Sequence, residues 1–126
     1  MDLFDHQIIP LPLTDKRQAQ ISFWPNWLDG GRADALLGQS INHIDWRSDQ
    51  IRIAGKIIPI PRLQQWFGDP GTSYTYSNIR LPAVAFPDWI EKLREAIEDQ
   101  SGERFNRALV NYYRDGSDSV DWHADD

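Results

Sequence analysis

No cysteine occurs among the 126 residues, so neither a disulfide framework nor a thiolate metal site is available. No apolar run approaches the roughly 18 residues that suggest a membrane span, so no membrane partner is expected. The N-terminal stretch MDLFDHQIIPLPLTDKRQ lacks the basic start and apolar block of a secretory signal, which makes the cytoplasm the expected compartment. Positive charge is scarce: 13 Lys and Arg stand against 19 Asp and Glu, a net charge of −6. That balance runs against a nucleic-acid binder, because phosphate neutralisation supplies most non-specific affinity. Repeats and low-complexity tracts are also missing. What is abundant is aromatic: six Trp, four Tyr and five Phe argue against disorder. The length fits one domain, residues 1–126, with a modest core.

Residues 1–20 contain prolines, show no periodicity, and read as an irregular N-terminal arm. Asp29 is placed to cap a helix over residues 30–41 in which Ala33, Leu36, Leu37 and Ile41 recur at helical spacing, although Gly30 and Gly31 weaken its start. Between Asp45 and Ile60, β-branched residues flank Ala54-Gly55-Lys56 and predict a hairpin. Residues 68–82 (GDPGTSYTYSNIRLP) read as an ordered loop. Pro87 opens a second helix, over 87–100, with Ile90, Leu93 and Ile97 on one stripe and Gly102 as its stop. Strands are expected over Phe105–Tyr113 and Ser119–Asp125, with Asp115-Gly116 as the turn between them. The fold class predicted is α+β, helices first and then the opening strands of a sheet.

Chemistry concentrates in Trp122-His123-Ala124-Asp125. Side chains two apart on a strand share a face, so His123 and Asp125 would converge on one point. An imidazole and a carboxylate at that spacing form two corners of the two-His, one-carboxylate triad of non-haem iron(II) oxygenases. The tripeptide alone is common, and an ordinary surface strand end would also contain it. In the strand before it, alternation puts Asn111 and Tyr113 on one face and Val110 and Tyr112 on the other. An amide and a phenol beside an iron site suit the oxygens of a keto-acid carboxylate. His6 and His43 lie upstream and read as part of the arm and as a helix-end residue, respectively.

The run Asn111-Tyr112-Tyr113-Arg114-Asp115-Gly116, followed by His123-Ala124-Asp125-Asp126, resembles the Asn-x-Tyr…His-x-Asp core of the AlkB family of iron(II)/2-oxoglutarate oxygenases. The likeness covers roughly residues 50–126. It takes in Pro61-Arg62-Leu63-Gln64, Gly68-Asp69-Pro70-Gly71, Tyr74-Thr75-Tyr76-Ser77, the helix led by Trp89, and the stretch from Gly102 to Phe105. The family branch it is most similar to repairs DNA by removing methyl groups from damaged bases.

The resemblance implies that His123 and Asp125 bind Fe(II), and that Asn111 and Tyr113 contact 2-oxoglutarate. It also implies that Arg62, Tyr74, Tyr76 and Ser77 wall the pocket for an extruded base, which must stack and hydrogen-bond outside the duplex. Tyrosines packed in a core with hydroxyls at the surface would give the same sequence. The hairpin around Ala54-Gly55 takes the place where family members press on DNA. Arg47, Arg52, Lys56 and Arg62 outnumber Asp45 and Asp49 there, as they also could in a solvated hairpin.

The implied fold is a double-stranded β-helix, or jelly roll, of which only the first strands are expected here, with the N-terminal helices and hairpin packed on them. The family's remaining His ligand and the arginine that grips the far carboxylate of 2-oxoglutarate are expected beyond residue 126. The resemblance therefore predicts a front part that is inactive alone. Alkylated DNA would be the partner of the complete enzyme. A complementing C-terminal chain or a second copy could pair with exposed sheet edges. A dead remnant serving as an interaction module, or an oxygenase acting on RNA, protein or lipid, are the rival readings.

Overall fold

The structure, a computed structural model, describes residues 6–13, 18–76 and 79–123, with the backbone alone at positions 74, 76, 79 and 81. The chain divides into two compact units, Met1–His43 and Ile44–Asp126.

In the first unit, β1 (Gln7–Pro12) and β2 (Gln18–Phe23) pair antiparallel, with Ile9 opposite Ile21 and Gln7 opposite Phe23. The expectation of an irregular arm is corrected here. Prolines at 10 and 12 hid the strand from sequence reading, yet proline is tolerated in a strand wherever the missing N–H faces an unpaired edge. The helix α1 (Gly30–His43) follows. Asp29 caps it as expected, its Oδ1 accepting the Arg32 N–H at 2.8 Å. His43 ends the helix in its last turn, where a basic ring complements the dipole.

The second unit opens with the predicted hairpin, β3 (Gln50–Ile53) and β4 (Lys56–Pro59). Its turn residues Ala54 and Gly55 both have positive φ, 48° and 79°, the requirement of the two-residue type I′ turn. Next comes a largely buried strand, β5 (Leu63–Gly68), which pairs antiparallel with β8 (Arg107–Tyr112). Its other edge is engaged by Arg47, which exchanges backbone bonds with Gln64 at 2.9 and 3.0 Å, and by Val84, bonded to Trp66 and Gly68. A strand held on both edges buries its polar residues as well. Gln64 and Gln65 are each 4% exposed, and both amides are satisfied: Gln64 donates to Asp49 and Gln65 to the Asp45 carbonyl.

Sequence periodicity did not reveal β5, because a strand buried on both faces does not alternate. Residues 68–82, expected as a loop, instead contain a hairpin of β6 (Ser73–Tyr76) and β7 (Ile79–Pro82). Interleaved tyrosines among turn residues were a strand pattern rather than loop decoration.

The helix α2 (Asp88–Ser101) has Pro87 as its N-cap and ends at Gly102, whose φ of 76° closes it through a bond to the Glu98 carbonyl. Of its apolar stripe, Ile90 is buried and Ile97 is exposed. Ile44, Phe67 and Ile90 form the core, with Trp46, Phe86, Trp89, Ala108 and Val110 packed around them. Arg94 fastens α2 to its surroundings. It donates to Asp69 (2.7 Å), Glu91 and the Phe105 carbonyl (3.2 Å), and lies over the Phe86 ring.

At the end of β5, a Cβ on Gly68 would come within 2.2 Å of Thr72 Oγ1 and 2.9 Å of Ala83 Cβ. Thr72 cannot swing away cheaply, since its hydroxyl donates to the Asp69 carbonyl at 2.7 Å. Gly68→Ala should therefore cost about 1–3 kcal/mol by overpacking. Urea unfolding would measure this, and adding Thr72→Ala should recover part of the loss. An unchanged denaturation midpoint would show that the close approach is relaxed in solution.

Candidate metal and co-substrate site

The strand β8 sets the first arm of the candidate site. Its register places Asn111 opposite Gln64, and its burial alternates, with Ala108, Val110 and Tyr112 half-buried and Leu109 and Asn111 exposed. The inward side is fixed by apolar packing, including a tilted contact of Tyr112 with Trp46 at 5.3 Å. Asn111 thus projects on the open side, and Tyr113, just past the strand end, is 41% exposed.

The chain then turns through Arg114–Asp118. Arg114 donates to Asp118 from its backbone N (2.9 Å), Nε (2.7 Å) and Nη2 (2.9 Å). Asp115 accepts from the backbone N and hydroxyl of Ser117. Donation by the Arg114 side chain and backbone holds the Asp118 carboxyl at about 2, below its ordinary value of 3.8. Its side chain is only 5% exposed despite the turn's surface position.

A depressed carboxylate stabilises the fold above its unfolded value and loses that contribution as pH falls. The Asp118 contribution is therefore expected intact above pH 3.8 and lost as pH falls through about 2. A carboxyl-carbon NMR titration should place the Asp118 midpoint near 2, moving up towards 3.8 in Arg114→Ala. A midpoint that ignores the arginine would refute the pairing.

The second arm departs from expectation. Residues 119–123 form no strand, so the predicted strand over Ser119–Asp125 is not built in its described part. Instead the Ser119 N–H donates to the Pro61 carbonyl at 2.9 Å, and the chain continues irregularly with Val120 and Trp122 exposed. A lone extended segment needs a partner strand to complete a ladder, and among the described residues no strand pairs with 119–123. His123 is exposed, with Nδ1 2.8 Å from the Asp121 carbonyl oxygen. Asp125 lies outside the described residues.

Of the residues expected around a base pocket, Arg62 is 9% exposed, and its buried Nε has no hydrogen-bond partner among the described residues. Tyr74 and Tyr76 lie on β6 with undescribed side chains, and Ser77 is outside the described residues. His6 stacks on Trp24 at 4.5 Å. In the basic hairpin, Arg47 is tied to Asp49 at 3.0 Å, which leaves Arg52 and Lys56 as its exposed cations. Sequence reading missed Asp118, whose only signal was an acid four residues after an arginine.

Against known proteins, residues 20–126 match the sequence profile of the 2OG-Fe(II) oxygenase superfamily. The chain belongs to that superfamily. It is 32% identical over 122 residues to the alpha-ketoglutarate-dependent dioxygenase alkB homolog 3 of Mus musculus, covering 94% of this chain and 41% of the relative. With the Homo sapiens protein of that name, identity is 31% over the same shares. With the DNA oxidative demethylase ALKBH2 of Homo sapiens it is 34% over 77 residues, 61% of this chain and 30% of the relative. The chain thus spans about two fifths of the length of the alkB homolog 3 proteins it matches.

An oxygenase of this superfamily takes Fe(II) and 2-oxoglutarate. A carbonyl oxygen only accepts, so the Asp121 contact puts the proton of a neutral His123 ring on Nδ1 and the lone pair on Nε2. Metal-bound histidines characteristically donate their other ring N–H in this way. No group of three potential ligands is assembled among the described residues.

Proposed function

We propose that residues 1–126 supply two iron ligands, the co-substrate contacts and the nucleic-acid-facing hairpins of an oxygenase that demethylates N-alkylated nucleobases in DNA. The observation that carries this reading is the ordered set Asn111, Tyr113, His123 and Asp125, lying inside a superfamily match that runs over residues 20–126. Relatives named as a DNA oxidative demethylase support the substrate class.

In this reading His123 Nε2 and the Asp125 carboxylate would hold Fe(II). The Asn111 amide and Tyr113 hydroxyl donate to carboxylate oxygens of 2-oxoglutarate. Arg62, Tyr74, Tyr76 and Ser77 line the space for the base, while Arg52 and Lys56 meet the backbone phosphates despite the overall negative charge. Iron held there would, with O₂ and 2-oxoglutarate, supply the oxidising chemistry for hydroxylation of an N-methyl group, with succinate and carbon dioxide as co-products. The N-hydroxymethyl base then breaks its C–N bond, releasing formaldehyde and restoring the base N–H.

The proposed setting is cytoplasmic, and no helix of the described residues is long and apolar enough to cross a membrane. The test is formaldehyde and succinate release from an N-methylated single-stranded oligodeoxynucleotide by the completed enzyme. Faster turnover of a methylated RNA of the same sequence would move the substrate class. Absence of any turnover would favour an interaction module.

A further inference from the structure

The stretch joining Tyr113 to His123 is more tightly built than a surface connection requires. Both ends of the turn are closed on Asp118, by the backbone and guanidinium of Arg114 on one side and by the Asp118 N–H to the Asp115 carbonyl (3.1 Å) on the other. Both flanks of the turn are also referenced to the same short piece of chain. Tyr112 is paired with Leu63 by strand register, and Ser119 is bonded to Pro61, two residues before Leu63. We infer that Asp118 is a positioning residue, which fixes the arm carrying His123 against the arm carrying Asn111 and Tyr113. This rests on the functional reading proposed above.

Three physical points support the assignment. An exposed ion pair contributes little to stability, so stability alone gives a weak reason for an arginine fork and a backbone N–H to converge on one carboxylate. Here Arg114 is 48% exposed and the Asp118 side chain 5%, so the pair shields the carboxylate while lying at the surface. Second, an open connection would leave the two arms free to separate, whereas closing the turn removes most of that freedom before any ligand binds. Third, the Ser119 N–H bond to the Pro61 carbonyl fixes the point at which the segment leading to His123 leaves the turn. Asp118 acts through His123 and Asn111 and touches neither co-substrate nor metal.

The experiment uses the 126-residue chain with Mn(II) as the probe, since its electron spin broadens nearby NMR signals. In the unsubstituted chain, Mn(II) should broaden Asn111 and Tyr113, and His123→Ala should abolish the effect. Asp118→Asn keeps the size and removes the charge. It should weaken Mn(II) binding about ten-fold, the scale of outer-shell substitutions. At saturating Mn(II) it should also lose the broadening at Asn111 and Tyr113, while residues next to His123 still broaden. A merely structural loss would lower the thermal midpoint without separating the arms in this way.

Arg114→Lys, which keeps the charge and loses the fork, should fall between the two and guards against misfolding of the first variant. In the metal-free chain, ¹⁵N relaxation should show residues 119–123 more mobile in Asp118→Asn. A folded Asp118→Asn with unchanged affinity, broadening and relaxation overturns the positioning role and leaves the functional reading standing. Absence of His123-dependent Mn(II) binding, with relaxation still sensitive to Asp118, overturns the functional reading and reduces Asp118 to a structural clasp.

Discussion

Replacing His123 by alanine is expected to abolish divalent-metal binding by this chain, while His6→Ala leaves it unchanged. Titration with Mn(II) or Ni(II), followed calorimetrically, would measure both. The argument begins with the ring nitrogens. His123 has Nδ1 on the Asp121 carbonyl, and in the proposed reading its Nε2 would coordinate the ion together with Asp125, two positions on in sequence. His6 stacks on Trp24 in the other unit of the chain. Cysteine is absent, so no soft ligand competes. Affinity should be weaker than at a complete three-ligand centre, because fewer protein ligands hold the ion. Equal loss from both substitutions would mean that the binding histidine has been misassigned.

The second expectation concerns turnover. The 126-residue polypeptide, supplied with iron, 2-oxoglutarate and N-methylated DNA, should form no succinate above background. A chimera that continues it with the segment following the matched region of the mouse alkB homolog 3 should recover activity. Catalysis of this kind depends on positioning and on electrostatics organised in advance, so a centre without a third metal ligand and an arginine for the distal carboxylate would retain little of it. An arginine fork for the distal carboxylate is hard to replace, since no other side chain presents the same planar pair of donors. The chimera should lose its recovered activity on His123→Ala. Robust demethylation by the 126 residues alone would show that another residue, or a second copy, completes the centre.

Local rules made part of this architecture readable. Asp29, Gly55 and Gly102 marked a cap, a turn and a stop, and each is used as such, because capping and positive-φ geometry depend on near neighbours alone. The alternation in β8 likewise set which side Asn111 faces, since strand period is a property of the backbone. The order Asn111, Tyr113, His123, Asp125 was legible as a motif.

The tertiary structure decided what local rules do not contain. Strand β5 carries adjacent buried glutamines, and only Asp49, Asp45 and two paired edges explain why they lie inside. The N-terminal prolines read as a break, yet β1 and β2 pair, because pairing is decided by the partner segment. The segment 119–123 has the sequence of a strand, yet no strand pairs with it among the described residues, and it stays irregular. Asp118 looked like one acid in an acidic run, until closure of the turn brought Arg114 onto it. Hydrogen bonds between distant segments depend on where the whole chain goes, and a linear pattern carries no record of that.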